Sequence, residues 1–174
     1  GAAPLAMAAR ALDLVVGRGV TAEAALQSLS VPPADRAAVR AIHTGALRFY
    51  HRVSPLAGRL LETGQQVPTR VHALLVCALH QLEYSRAAEH SAVNIAVDAA
   101  RVLGAGAAAG FINALLRRFL RERSQLVARV DADPATAAAH PRWLYQRLRE
   151  SHPTRLSQLI AANNESPALV LRVN

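Results

Sequence analysis

The segment from 69 to 84 opens directly after Pro68 and is the most hydrophobic in the chain. Val71, Leu75, Ala78 and Leu82 recur at the spacing of one helix face. Leu74, Val76 and Leu79 widen that stripe around most of the circumference. A helix apolar on most sides belongs in the centre of a bundle, with other helices around it. The remaining chain suits that task. Ala, Leu and Arg dominate its 174 residues, and all three favour helix. A chain of this length is enough for one domain with a full core.

The surrounding helices are legible from period and punctuation. Leu5, Ala8, Leu12 and Val15 predict a helix over 5–18, with Gly17 and Gly19 bracketing its end. Thr21 is placed to cap a short second helix carrying Leu26 and Leu29. Pro33 stands near the start of a third, over 34–51, with Val39, Ile42, Ala46 and Phe49 on one face. Ser54-Pro55 reads as an N-cap and first-turn proline of a fourth, with Leu56, Leu60 and Leu61, stopped at Gly64. Beyond the central segment, 90–103 carries Val93, Val97 and Ala100, and 108–123 carries Ile112, Leu115, Leu116 and Phe119. Gly104 and Gly106 separate these two. The expected fold is all-α, a bundle of about seven helices of ordinary length ending near residue 125.

The character of the sequence then changes. Asp131-Ala132-Asp133-Pro134 reads as a turn. His140-Pro141 precedes a short helix with Trp143, Leu144 and Leu148. Pro153 starts another with Leu156, Leu159 and Ile160, ended by Asn163-Asn164. Leu169, Leu171 and Val173 then alternate with Val170, Arg172 and Asn174, and period two reads as a strand. A lone strand has nothing here to pair with. It is either the first strand of a further domain that has been cut off or a packed or disordered tail. The chain therefore divides into a helical domain over 1–125 and, over 126–174, connector helices leading into the next domain.

The net charge is +8, and every lysine-or-arginine position is arginine. Arginine binds phosphate through its planar fork, so an anionic partner such as RNA fits. A GC-rich genome also replaces lysine by arginine, so the sign of the charge carries more information than the residue type. The single cysteine, Cys77, cannot form an internal disulfide and fits a reducing cytoplasm. It lies in the apolar run 74–79, where a buried, inert thiol is expected. No stretch approaches the length of an uncharged transmembrane helix, and no membrane partner is expected. The start has no basic region leading into an apolar stretch and does not read as a signal peptide, and Gly1 in place of Met suggests an expression scar or a trimmed start.

No catalytic signature is present: no Gly-rich phosphate loop, no zinc-spaced cysteine set, no serine elbow. His80, His90, His140 and His152 show no spacing that requires a metal and read as structural. The best candidate for a site is the run Arg117, Arg118, Arg121 and Arg123, opposed only by Glu122. Arg117 and Arg121 are one turn apart on one face, and such a stripe suits a phosphate backbone as readily as it suits a solvated surface. Asn94 and Asn113 fall mid-helix, where asparagine is a poor former, so each is expected either to hydrogen-bond across helices or to reach RNA. Aromatic residues make up only 4% of the chain, which argues against a base-stacking platform.

Several stretches together resemble a known family. His80-Gln81-Leu82-Glu83-Tyr84-Ser85-Arg86, followed by Glu89-His90-Ser91-Ala92-Val93-Asn94, resembles the central segment of the NusB-like family. Gly110-Phe111-Ile112-Asn113-Ala114-Leu115-Leu116-Arg117-Arg118-Phe119 is similar to a helix of that family, and Thr44-Gly45-Ala46-Leu47-Arg48 to an earlier stretch. His140-Pro141-Arg142-Trp143-Leu144, Ala161-Ala162-Asn163-Asn164-Glu165-Ser166-Pro167 and Leu171-Arg172-Val173-Asn174 resemble the segment C-terminal to this domain in Sun/RsmB-type ribosomal-RNA methyltransferases.

The resemblance implies the RNA-binding, N-terminal part of an enzyme that uses S-adenosylmethionine to methylate carbon 5 of a cytosine in small-subunit rRNA. Residues 126–174 would then open its methyltransferase N-terminal subdomain. The two cysteines such enzymes use have no match here, Cys77 inherits neither role, and no catalytic or cofactor residue is expected in this chain. Small-subunit rRNA is the implied partner, with a ribosomal protein as a second. NusB factors bind RNA partly through an arginine-rich N-terminus, whereas 2–9 contains no basic residue here. The RNA-contact set is therefore taken as Arg10, Arg48, Arg86, Arg117, Arg118 and Arg121. Two alternatives stay open: a stand-alone antitermination factor of the NusB type, and a purely structural helical adaptor.

Overall fold

The computed structural model describes residues 1–62, 64–167 and 172. Among them it contains ten α-helices, three short 3-10 turns and no strand. The first seven helices form the bundle. α1 spans Ala2–Arg18, and Gly19, at φ 67°, closes it by donating its N–H to the Val15 carbonyl. Only glycine adopts that left-handed geometry without strain. α2 (Ala22–Gln27) is capped by Thr21, whose Oγ1 accepts the Ala24 N–H at 3.2 Å. α3 (Arg36–Arg48) follows a 3-10 turn at Pro33–Asp35. α4 spans Tyr50–Leu60, α5 Thr69–Tyr84, α6 Glu89–Val102 and α7 Ala109–Asp131.

α5 is the central helix. α1, α3, α4, α6 and α7 all pack against it. Every residue from Ala73 to His80 is buried, as the all-round apolar pattern requires. Each fully buried leucine there, such as Leu74, Leu75 and Leu79, contributes about 2 kcal/mol of transfer free energy. Phe119 and Leu116 of α7, Leu56 and Leu60 of α4, and Leu5 and Leu12 of α1 complete one continuous core.

The fourth helix departs from the sequence expectation. It begins at Tyr50, so Pro55 lies inside it and Ser54 caps nothing. The cause is local. The Phe49 carbonyl accepts the N–H groups of Arg52 at 3.0 Å and Val53 at 2.9 Å, which starts the helix more than a turn early. Val53, Leu56, Ala57 and Leu60 are all buried, and that packing outweighs the one backbone bond a proline removes. α4 also ends early. Leu61 is extended, and Gly64 (φ 80°) serves the following turn instead of the helix end.

α7 runs beyond the expected 123 to Asp131, and Leu126 and Val130 are buried in the same core. α8 (Pro134–Ala137) is capped by Asp133, whose Oδ2 accepts from the Thr136 N–H at 3.2 Å and the Thr136 hydroxyl at 2.7 Å. α9 (Arg142–Ser151) and α10 (Leu156–Asn164) contain no buried residue, and Trp143 is 69% exposed. The expected strand over Leu169, Leu171 and Val173 lies outside the described residues.

Candidate nucleic-acid interface

The arginine run on α7 divides by helical rotation. Arg117 and Arg121 are exposed on the outer face. Arg117 Nε donates to Asn113 Oδ1 at 3.0 Å, which gives the mid-helix asparagine its role: it fixes a guanidinium one turn away. Arg118 turns back to the bundle. Its Nε meets Glu122 Oε2 at 3.0 Å and its Nη1 donates to the Leu60 carbonyl at 3.3 Å, joining α7 to the end of α4. Arg123 turns further inward. It donates to Glu83 Oε1 at 2.7 Å, Glu89 Oε1 at 3.1 Å and the Leu82 carbonyl at 3.0 Å.

The other arginines of the expected set lie elsewhere. Arg48, at the end of α3, donates to Ser166 Oγ at 3.0 Å. Arg86 is exposed in the turn after α5. Arg10 is exposed on α1 and shares a groove with Arg70 in the first turn of α5. Arg10 and Arg86 therefore stand near opposite ends of α5, a helix roughly 24 Å long. The six arginines are not gathered on one surface.

Sequence reasoning missed the most heavily bonded arginine. Arg52, on α4, grips both oxygens of Asp131 at 2.8 Å through Nε and Nη2. Its Nη1 donates to the Tyr84 hydroxyl at 2.7 Å and to Glu83 Oε2 at 3.2 Å. Glu83 thus bridges Arg52 and Arg123, and the network ties α4, α5, α6 and α7 together. The hydrogen bonds to Asp131 hold the Arg52 guanidinium well above its ordinary pKa against the opposing effect of burial. This is a structural staple, not an exposed site for an anion.

Beside it lies an aromatic stack. The Tyr84 ring sits 4.0 Å from Phe49 and 5.2 Å from His80, centroid to centroid. His80 is buried and faces Gly45 of α3 so closely that a Cβ there would come within 2.5 Å of Cε1. We expect Gly45→Ala to lose about 1–2 kcal/mol in urea unfolding, because overlap with a pinned ring exceeds the helix-propensity gain of about 1 kcal/mol. In a His80→Ala background the same change should become stabilising. A loss in both backgrounds would show that the His80 ring is not what excludes a side chain at position 45.

His140 and the two asparagines of α10 form a second structural constellation. His140 Nδ1 lies 2.6 Å from the Ala138 carbonyl, and its Nε2 lies 3.1 Å from Asn163 Nδ2. The two contacts together assign the ring as an Nδ1–H donor with Nε2 accepting. Asn164 Nδ2 donates to the same Ala138 carbonyl at 3.0 Å. The turn they hold includes Ala139 at φ 57°. Asn94 pairs within its helix, 3.4 Å from His90 Nδ1. Cys77 is buried, and burial pushes its thiol up to about 12, so it supplies no thiolate at neutral pH.

The residues that resembled the NusB-like pattern thus include the staples themselves: Gly45, His80, Glu83, Tyr84 and Glu89. The profile of the NusB family matches residues 5–121, the bundle just described. The chain belongs to the NusB family. Residues 140–174 of this NusB-family chain match a second profile, the Methyltr_RsmF/B-like, ferredoxin-like domain. The chain is 36% identical over 174 residues to the ribosomal RNA small subunit methyltransferase B of Pseudomonas putida, covering 98% of the chain and 40% of that protein. It is 35% identical over 172 residues to the protein of the same name from Vibrio vulnificus, covering 97% of the chain and 40% of the relative. For Escherichia coli O1:K1 / APEC the identity is 34% over 173 residues, again 97% and 40%. This NusB-family chain spans about 40% of the length of the curated relatives it matches. Among its described residues no helix is long and apolar enough to cross a membrane.

Proposed function

We propose that this chain is the RNA-binding and substrate-positioning part of an S-adenosylmethionine-dependent rRNA cytosine-5 methyltransferase acting in the cytoplasm on small-subunit rRNA. The carrying observation is the pair of profile matches in one chain, NusB over 5–121 and the RsmF/B-like ferredoxin-like domain over 140–174. The NusB match alone suits an antitermination factor equally well. The second match favours the methyltransferase. On this reading the bundle is the RNA-binding domain, which extends past the expected boundary at 125 to the end of α7 at Asp131, and the residues after it are the connector and opening of the next subdomain. A ribosomal protein is a further partner by the same family likeness.

The chain spans about 40% of the relatives' length, and S-adenosylmethionine is proposed for the whole enzyme without a residue of this chain assigned to hold it. No methyl-transfer step is assigned to this chain. Its contribution is positioning through charge, with Arg117 and Arg121 exposed on one helical face for rRNA phosphates.

The test is binding to small-subunit rRNA fragments across a salt series with tRNA as competitor. Selective binding with a steep salt dependence supports the reading. For structured rRNA, Arg117→Ala with Arg121→Ala should reduce the log–log salt slope by about 2, one phosphate contact per arginine. An unchanged affinity and slope would remove the two arginines from the interface. Weak binding that tRNA competes away would count against a targeting role for this part of the protein.

A further inference from the structure

We propose a second RNA contact, distinct from the α7 face: a groove in which Arg10, Arg18 and Arg70 bind the phosphates of a single RNA strand. The inference rests on the RNA-binding reading above. The groove is roughly 560 Å3 in volume and brings α1 together with the start of α5 and the end of α6. Arg10 and Arg18 enter from α1, eight residues and roughly 12 Å of helix apart. Arg70 enters from the first turn of α5.

Three observations point to an anionic strand. All three arginines are exposed, and among the described residues none takes part in an ion pair. One carboxylate, Asp13, lines the groove with them, so three cations face one anion. The comparison within the molecule is direct. A second groove holds Arg36 and Arg40, but there Arg40 is paired with Glu23 and Arg36 donates to the Val31 carbonyl. That groove offsets one of its two cations with Glu23 and ties the other to a backbone carbonyl, whereas the three arginines of the Arg10 groove face a single carboxylate and are in no ion pair.

Part of the groove lining beside these arginines is apolar. Val102 lines it and is 57% exposed, among the most exposed large hydrophobic residues described. An exposed apolar wall next to unpaired guanidinium groups suits the sugar or base face of a nucleotide whose phosphate meets the arginines. No aromatic residue lines the groove, so it offers no stacking platform and reads backbone charge instead of sequence. Size selects the strand type. A groove of roughly 560 Å3 is too small for a duplex to enter, while a single strand can lay its phosphates along it.

The experiment compares Arg18→Ala/Arg70→Ala with Arg117→Ala/Arg121→Ala in the full chain. Each is titrated with a single-stranded RNA oligonucleotide and with a duplex of the same sequence across a salt series. The groove variant should bind the single strand about tenfold more weakly, with its log–log salt slope reduced by about 1.4, while duplex affinity is unchanged. A lysine pair at 18 and 70 should restore most of the slope, which separates lost charge from lost fold. An unchanged single-strand affinity and slope in the alanine variant overturns the groove and leaves the RNA-binding reading standing. Failure of the unaltered chain to bind either RNA at low salt overturns both.

Discussion

Glu83→Ala is expected to destabilise the protein by about 2–3 kcal/mol, the range for losing hydrogen bonds to charged groups whose partners keep another anion. For a chain of this size that lowers Tm by about 7 °C. The magnitude follows from what is left behind. The Glu83 side chain is 8% exposed and satisfies two guanidinium groups, Arg52 at 3.2 Å and Arg123 at 2.7 Å. The Arg52 side chain is only 14% exposed, so water restores little of the lost contact, but it keeps both oxygens of Asp131 and the Tyr84 hydroxyl. Arg123 is 37% exposed and keeps Glu89, so it contributes the smaller part. Arg123→Ala should accordingly cost about 1 kcal/mol or less on charge grounds. Urea unfolding of the two variants checks the ordering. A Glu83→Ala loss below that of Arg123→Ala would mean that the buried Arg52–Glu83 contact adds no net stability.

This staple also marks the limit of what the sequence conveys. The central helix was legible because Val71, Leu75 and Leu79 advertise a period and a burial level within one short window. The seven-helix bundle emerged from the same kind of local signal. Arg52 has no such signal. Its partners Glu83 and Asp131 lie 31 and 79 residues away, and nothing near position 52 distinguishes a stapled arginine from a solvated one. Charge adjacency misled in the opposite direction. Arg117, Arg118, Arg121 and Arg123 read as one cluster, but successive helix positions turn through about 100°, which places 118 and 123 on the flanks, where each bonds a neighbouring helix. The extension of α7 carried a readable signal: Phe119, Leu126 and Val130 continue one face under the polar stretch Arg123-Ser124-Gln125. The early start of α4 did not, because it depends on the Phe49 carbonyl and on core packing, while Ser54-Pro55 is a valid helix opening by local rules. The groove at Arg10, Arg18 and Arg70 was invisible for the same reason as Arg52. It is assembled from α1 and the start of α5, helices far apart in the chain.

Acid should weaken the fold through histidine before it acts through any interface. Burial, helped by the nearby Arg48 charge, lowers His80 to about 4 from an ordinary 6.5. His43 is fully buried and lowered chiefly by desolvation, and His72 is lowered by the same cause. A histidine held neutral in the folded chain but free to protonate in the unfolded chain favours unfolding as pH falls. The sign comes from proton counting: below about 6.5 the unfolded state binds protons that the folded state refuses. The stabilisation is therefore complete above pH 6.5, declines between 6.5 and about 4, and the His80 share stops changing below that. For His80 the full swing is roughly 3 kcal/mol, at about 1.4 kcal/mol per unit of pKa difference. The measurement is urea unfolding at a series of pH values for the unaltered chain and for His80→Gln. The variant is less stable at pH 7, because glutamine leaves the stack on Phe49 and Tyr84. Its stability should nevertheless fall less steeply toward pH 4, so that the two curves converge by up to about 3 kcal/mol. Parallel curves would show that His80 titrates alike in the folded and unfolded chain. The acid sensitivity would then have to come from the other histidines lowered chiefly by burial, His43, His51 and His72, whose replacement should flatten it instead.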